Sequence, residues 1–140
     1  MRMRVLGLDI GTKTIGVAVS DPMGWTAQGI MTIHRKEWTS DCRELEKLIQ
    51  EYKVESILIG LPLRMDGTEG DQVKMVRGFA EKMKKQIGEI PVVFWDERLS
   101  TAAAERGLLE ADLSRAKRKK VINQMAAVFI LQGYLDSQGR

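Results

Sequence analysis

A carboxylate interrupts an apolar segment near the start of the chain. Asp9 lies within the run Val5–Ile10, and Gly11 follows it at a predicted turn. Burying an ionised carboxylate costs free energy unless a cation or hydrogen-bond donors compensate it, so we expect a metal ion or a Lys or Arg beside Asp9. The alternative is that Asp9 only caps the turn before Gly11, because Asp favours turns for ordinary reasons.

Two further acids, Asp96 and Glu97, follow another apolar run and precede Arg98. Side chains alternate along a strand, so Asp96 and Glu97 should face opposite sides of the sheet. At most one of them then points towards Asp9, and the other pairs with Arg98 or with a helix N-terminus. The sequence does not say which of the two acids faces Asp9. The alternative is that both are solvated acids at the end of a strand.

Two segments are suited to contacting phosphates. Residues 60–72 supply glycines, Arg64 and backbone amides between a buried strand and a helix. A second segment holds five basic residues within six positions, namely Arg115, Lys117, Arg118, Lys119 and Lys120. Such a run is usually a solvated face, but beside a carboxylate site it becomes a candidate clamp for a nucleic-acid backbone.

The hydrophobic pattern predicts the elements that position these residues. Strands are expected at 5–10, 14–20, 28–34, 56–61 and 91–95. Helices are expected at 41–52, from Thr68 or Asp71 through Met83, at 100–109 and at 121–135, and Asp41 is the predicted N-cap of the first. An antiparallel meander followed by helical crossovers predicts an α/β fold with a mixed five-stranded sheet and helices on both faces. If the first, fourth and fifth strands are parallel, one sheet edge gathers Asp9, the loop after Gly60, and Asp96 with Glu97.

Composition excludes several classes of protein. The 140 residues, 44% hydrophobic and 29% charged, predict one soluble domain spanning residues 1–140. No segment is long and apolar enough for a membrane span and none reads as a signal peptide, so a cytoplasmic location is expected. A single Cys42 and a single His34 make zinc chemistry unfavourable, and both are interpreted as packing or surface residues. The net charge of +3 suits an anionic partner.

Four motifs in order along the chain resemble the YqgF family, whose members are described as pre-16S rRNA nucleases and as Holliday-junction-resolvase-like. They are residues 6–21, residues 60–62 with 66–68, residues 96–101, and Ala126-Ala127 with residues 130–132. The resemblance implies a ribonuclease-H-like fold and a metal-dependent phosphodiesterase acting at the 5′ end of immature 16S rRNA.

The resemblance also implies a site. Asp9, with Glu97 or Asp96 and with Asn123, would hold one or two Mg²⁺ or Mn²⁺ ions. The nucleic-acid backbone would be positioned without base reading by Thr12, Lys13, Arg64, Arg98 and the basic run 115–120. Many members of the family carry an acid where this chain has Asn123, whose neutral carbonyl is a weaker ligand. The alternative is that Asn123 only caps a backbone group at the start of a buried helix.

Three other functions stay open at this point. The first is a Holliday-junction resolvase, which would be a two-fold dimer, whereas an rRNA-trimming enzyme is equally suited to a monomer. The second is a non-catalytic RNA-binding assembly factor that kept the fold. The third follows from the likeness of residues 9–13 to the phosphate-binding hairpin of actin-like ATPases, although those enzymes need two such domains and this chain has room for one.

Overall fold

The computed structural model describes residues 4–99 and 115–138, with the side chains of 115–123 left undescribed. Within these ranges the chain forms five strands and three helices. The strands are β1 Val5–Ile10, β2 Thr14–Ser20, β3 Ala27–His34, β4 Ser56–Leu61 and β5 Val92–Asp96, and the helices are α1 Trp38–Glu51, α2 Asp71–Ile87 and α3 Arg115–Ser137. A 3₁₀ turn, Glu97–Leu99, follows β5 directly. The predicted bounds of β1, β2 and β4 are therefore confirmed.

The strands form one mixed sheet in the order β3-β2-β1-β4-β5. β1 pairs antiparallel with β2 and β2 with β3, whereas β1, β4 and β5 are mutually parallel. The last residues of β1, β4 and β5 consequently share one edge, which we call the carboxyl edge. Because β2 runs the other way, Ser20 and the turn after it lie at the opposite edge.

Helices cover both faces of the sheet, as predicted. On one face, α1 and α2 bury apolar residues such as Leu45 and Met83 against Leu8 and Ile59. On the other face, Ile130 and Leu131 of α3 pack against Val5, Ala18 and Leu58. The backbone of α3 approaches the sheet closely because β1 has no side chain at Gly7, where an added Cβ would lie 2.9 Å from the Cβ of Leu131.

Three predicted element boundaries were wrong or lie outside the described residues. Helix α1 begins at Trp38, so Asp41 is not its N-cap; Oδ1 of Asp41 instead accepts the Lys36 backbone N–H at 3.1 Å. The predicted start of helix α3 at residue 121 was wrong, because within the described residues the chain is already helical at Arg115, and Lys and Arg are good helix formers. The basic run is therefore helical. The predicted helix at 100–109 falls outside the described residues.

None of the described helices combines the length and apolar character that crossing a membrane requires.

Candidate functional site

Asp9 lies on the α3 face of the sheet, close to the carboxyl edge. Its neighbour Leu8 packs in the core beneath α1 and α2, so alternation directs Asp9 to the other face. On β2, Asp9 is paired with Gly16. On β4, Leu8 is paired with Ile59, so the next residue along each strand brings Asp9 beside Gly60. The carboxylate thus has a glycine on each side, which leaves room for a ligand or another side chain over the sheet.

Glu97 occupies part of that room. A Cβ added to Gly60 would lie 3.0 Å from Cγ and 3.1 Å from Oε2 of Glu97, so this side chain reaches back across β4. The same Cβ would lie 2.8 Å from Cδ1 of Ile130 on α3. The absence of a side chain at Gly60 therefore lets Glu97 and α3 approach the strand beside Asp9.

Asp96 is turned away from this group and pairs with Arg98, as strand alternation predicts for one of the two acids. Its Oδ2 accepts Nη2–H of Arg98 at 2.7 Å, and its Oδ1 accepts the Arg98 backbone N–H at 2.9 Å. These hydrogen bonds from the Arg98 side chain and backbone lower the pKa of Asp96 below its ordinary value. Glu97 is therefore the acid that lies against Gly60, on the sheet face that Asp9 shares.

Arg98 joins two loops at the carboxyl edge. Besides its contacts with Asp96, its Nη1 donates to the Met65 carbonyl at 3.2 Å. Gly67 has a φ of +87°, and an added Cβ there would lie 3.3 Å from the same Nη1. The guanidinium thereby holds the loop between β4 and α2 against β5. The role of Arg98 as a nucleic-acid contact stays a prediction.

Three of the other predicted backbone contacts, Thr12, Lys13 and Arg64, lie near the same edge. Thr12 and Lys13 are exposed in the turn between β1 and β2. The Arg64 side chain lies against Gly70, where an added Cβ would be 3.0 Å from Nε. The side chains of Arg115, Lys117, Arg118, Lys119 and Lys120 are outside the described set.

Asn123 lies on α3, one helical turn before Ala127. The Ala127 carbonyl oxygen would be 3.5 Å from a Cβ on Gly7, which stands two residues before Asp9 on the same face of β1. The helix backbone therefore passes close to β1 two residues before Asp9. The Asn123 side chain belongs to those left undescribed, and its role as a ligand stays a prediction.

The donor set fits a hard divalent cation. Among residues 4–99 and 124–138, no group of three or more His, Cys, Asp or Glu side chains is arranged to hold a metal. Asp9 and Glu97 nonetheless supply carboxylates to the same face beside Gly60. Mg²⁺ is commonly held by one or two carboxylates, with water and substrate phosphates completing its shell.

Cys42 is buried and His34 is exposed, which agrees with their interpretation as packing or surface residues. Cys42 is buried in α1, and its desolvation raises the pKa of the thiol to about 11, so the thiolate is scarce at neutral pH. His34 is exposed at the end of β3.

One pair near the site was missed by sequence reasoning. Arg35 follows β3, and its Nη1 donates to the Gly11 carbonyl at 2.7 Å, while its Nε lies 3.7 Å from Oδ2 of Asp41. Nothing in the local sequence pattern predicts this contact, because the three residues are brought together only by folding. An Arg directly after a strand and six residues before an Asp was the only available signal.

Comparison with known proteins identifies the family. The sequence model of the RuvX family, described as "Holliday junction resolvase", matches residues 3–137. The chain belongs to the RuvX family. The resemblance to YqgF proteins noted from the four motifs is thereby confirmed.

Curated RuvX relatives extend over nearly the whole chain. A protein of Clostridium novyi named "Putative pre-16S rRNA nuclease" is 59% identical over 135 residues, which cover 96% of this chain and 99% of that protein. A protein of the same name from Moorella thermoacetica is 55% identical over 138 residues, covering 99% of this chain and 98% of its own length.

Solved structures confirm the ribonuclease-H-like fold of this RuvX chain. Thermus thermophilus RuvC in complex with a Holliday junction substrate superposes with a TM-score of 0.62 at 12% identity, covering 97% of this chain and 96% of RuvC. The fowlpox virus Holliday junction resolvase gives a TM-score of 0.52 at 18% identity, covering 96% of this chain and 99% of the resolvase. At these identities the likeness concerns the fold alone.

Proposed function

We propose that this protein is a metal-dependent nuclease that hydrolyses a phosphodiester bond at the 5′ end of pre-16S rRNA during ribosome biogenesis. The observation that carries the proposal is the placement of Asp9 and Glu97 on one sheet face beside Gly60. The names of relatives that are 55% and 59% identical support rRNA as the substrate. Such a role belongs in the cytoplasm, where ribosomes assemble.

In this proposal Asp9 and Glu97 hold a divalent cation, Mg²⁺ or Mn²⁺, and Asn123 adds a neutral oxygen. The bound cation would supply Lewis-acid polarisation of the phosphate and favour an attacking water. Asp96 is not assigned to this group because its carboxylate is committed to Arg98. Its contribution is to keep Arg98, and through it the loop 64–67, in place.

The remaining residues position the RNA. Thr12 and Lys13 are exposed at the carboxyl edge, and Arg64 lies on the loop that Arg98 holds. The helical basic run 115–120 would add phosphate contacts that depend on charge and not on base identity. The Nε and Nη2 edge of the Arg98 guanidinium is occupied by Asp96, so we expect Arg98 to act on the RNA through the loop.

The second candidate is a resolvase acting on branched DNA. It is supported by the description of the matching family and by the fold shared with RuvC. A resolvase that cuts two symmetric strands is expected to be a two-fold dimer, whereas trimming one RNA end has no such requirement.

The test is cleavage of a 5′-extended 16S rRNA fragment and of a four-way DNA junction, side by side, with one Mg²⁺-loaded preparation of known oligomeric state. We expect cleavage of the RNA at its extended end and little cleavage of the junction. Selective cleavage of the junction by a dimer would favour the resolvase. Binding of either substrate in EDTA, without cleavage in Mg²⁺ or Mn²⁺, would show a non-catalytic assembly factor.

A further inference from the structure

Arg35 holds the turn between β1 and β2 from outside. Within the turn, the Gly11 N–H donates to the Thr14 carbonyl at 2.8 Å. Arg35 adds two more hydrogen bonds: its backbone N–H donates to the Lys13 carbonyl at 2.8 Å, and its Nη1 donates to the Gly11 carbonyl at 2.7 Å. Both ends of the segment 11–13 are thus fixed by Arg35.

Arg35 is itself fixed by contacts with α1 and α2 beneath the sheet. Its guanidinium lies over the Phe79 ring of α2, 5.0 Å from the centroid, and its Nη1 is 3.4 Å from Sδ of Met75. Its Nε lies 3.7 Å from Oδ2 of Asp41 on α1, whose side chain is only 4% exposed. A guanidinium held on a ring and beside a buried carboxylate has little freedom to leave the turn.

We propose that Arg35 is a positioning residue for the carboxyl edge, coupling α1 and α2 to the turn that follows Asp9. By fixing residues 11–13, it sets where β1 ends relative to β4, and where Thr12 and Lys13 meet a substrate. The effect on cleavage rests on the proposed nuclease function, whereas the effect on the turn is independent of it.

A second arginine provides a matched control. Arg77 on α2 also lies over a phenylalanine ring, 5.0 Å from the centroid of Phe94, and pairs with Glu69 at 2.8 Å. It has the same kinds of partner as Arg35, but these two contacts do not involve the turn, and its side chain is 42% exposed. Loss of Arg77 should therefore affect packing without affecting residues 11–13.

The experiment compares Arg35→Met combined with Asp41→Asn, Asp41→Asn alone, Arg77→Met and the wild type. Arg35→Met alone would leave Asp41 buried without its cation and is expected to fold poorly. The double variant removes both charges together and avoids that penalty. For each protein, amide hydrogen exchange is measured at Gly11 and at Val17 in β2, beside the melting temperature and cleavage kinetics in Mg²⁺.

In the double variant, we expect exchange at Gly11 to rise about tenfold or more relative to Val17, because a hydrogen bond from a charged donor is lost. Cleavage at saturating substrate should fall by a similar factor, beyond any change seen with Asp41→Asn. Arg77→Met should leave the ratio of the Gly11 to the Val17 exchange rate unchanged, and the cleavage rate should also stay the same.

An unchanged Gly11-to-Val17 ratio in the double variant would overturn the proposal, as would an equal rise in Arg77→Met. Altered exchange with full cleavage would overturn the link between the turn and the site. If the wild type itself cleaves neither substrate, the nuclease function fails, while the exchange ratio still decides whether Arg35 holds the turn.

Discussion

Aspartates at the two edges of the sheet are used in different ways. Asp21 follows β2 at the edge opposite the carboxyl edge, and its carboxylate accepts hydrogen bonds from Met23, Trp25 and Thr26 in its own loop. These bonds, led by that from the Thr26 hydroxyl, lower its pKa to about 2. Asp9 instead lies within a strand between two glycine positions, on the face that Glu97 and α3 also approach.

The difference shows that residue type alone does not mark a site. Asp21 has its oxygens engaged by donors from the next few residues, so it stabilises a turn. Beside Asp9 the neighbouring strands have no side chains at Gly16 and Gly60, and Glu97, from far along the chain, lies against Gly60. Substitutions at the two edges should therefore differ sharply in their effect on cleavage.

The largest expected effect is that of Asp9→Asn. Removing a carboxylate that holds the cation should lower cleavage by about 10³-fold, equivalent to several kcal/mol of lost charge stabilisation. Asp21→Asn is the matched control at the other edge and should leave cleavage unchanged. The measurement is single-turnover cleavage, with circular dichroism to show that both variants are folded. Full activity of Asp9→Asn would exclude the proposed site.

Gly60→Ala should come next. Its Cβ would lie 3.0 Å from Cγ of Glu97 and 2.8 Å from Cδ1 of Ile130, so either the acid or α3 must shift. A displacement of this kind is expected to lower cleavage by about 10²-fold and stability by about 1–3 kcal/mol.

The control for Gly60→Ala is Gly78→Ala on α2, where an added Cβ meets nothing within 4 Å. This change should raise stability by about 0.5–1 kcal/mol, because Ala loses less conformational entropy than Gly in a helix. Wild-type cleavage by Gly60→Ala would show that the position of Glu97 is not critical.

Replacing Lys117, Arg118 and Lys119 with Ala should weaken RNA binding about equally for unrelated sequences. For every phosphate that is no longer neutralised, the slope of log affinity against log salt should fall by about 0.7 for single strands and 0.9 for duplexes. The charge-matched control is replacement of Lys82, Lys84 and Lys85, which are exposed on α2 on the other face of the sheet. If both triple variants show the same slope of log affinity against log salt, the run 115–120 is only a solvated surface.

Asn123→Asp tests whether α3 contributes a ligand. A full negative charge beside the cation should lower the Mg²⁺ concentration for half-maximal cleavage by a few-fold, and Asn123→Ala should raise it. If Asn123 is instead buried structure, the new Asp would reduce stability by a few kcal/mol without changing the metal requirement. Metal titrations beside melting curves distinguish these outcomes.

The smallest effect concerns acid stability. Because the folded pKa of Asp21 is lowered from 3.8 to about 2, its contribution is present above pH 3.8 and is lost as pH falls through 2. The melting temperature of the wild type should therefore exceed that of Asp21→Asn near neutral pH, and the gap should close between these two pKa values. A gap independent of pH would show that the loop does not need the charge.

Much of the fold could be predicted because its signals are local. The apolar runs of β1, β2 and β4 predicted their bounds, and the alternation of helices with the later strands predicted the parallel part of the sheet. Helix starts were less predictable, because Asp41 resembles an N-cap in sequence although the helix begins at Trp38. A polar residue can be the N-cap or lie within the first turn, so the sequence alone defines a helix start only to within a few residues.

The sequence by itself determined the family, the mixed sheet and the set of acids from which a site can be built. Only the tertiary structure decided that Glu97, and not Asp96, reaches over Gly60. Asp96 is hydrogen-bonded to Arg98, and a 3₁₀ turn begins at Glu97. It also showed that Arg35 holds the turn beside Asp9, across 24 residues of sequence. Periodicity fixes which face a residue takes within an element, whereas side-chain partners beyond the element depend on contacts that form only when the layers pack.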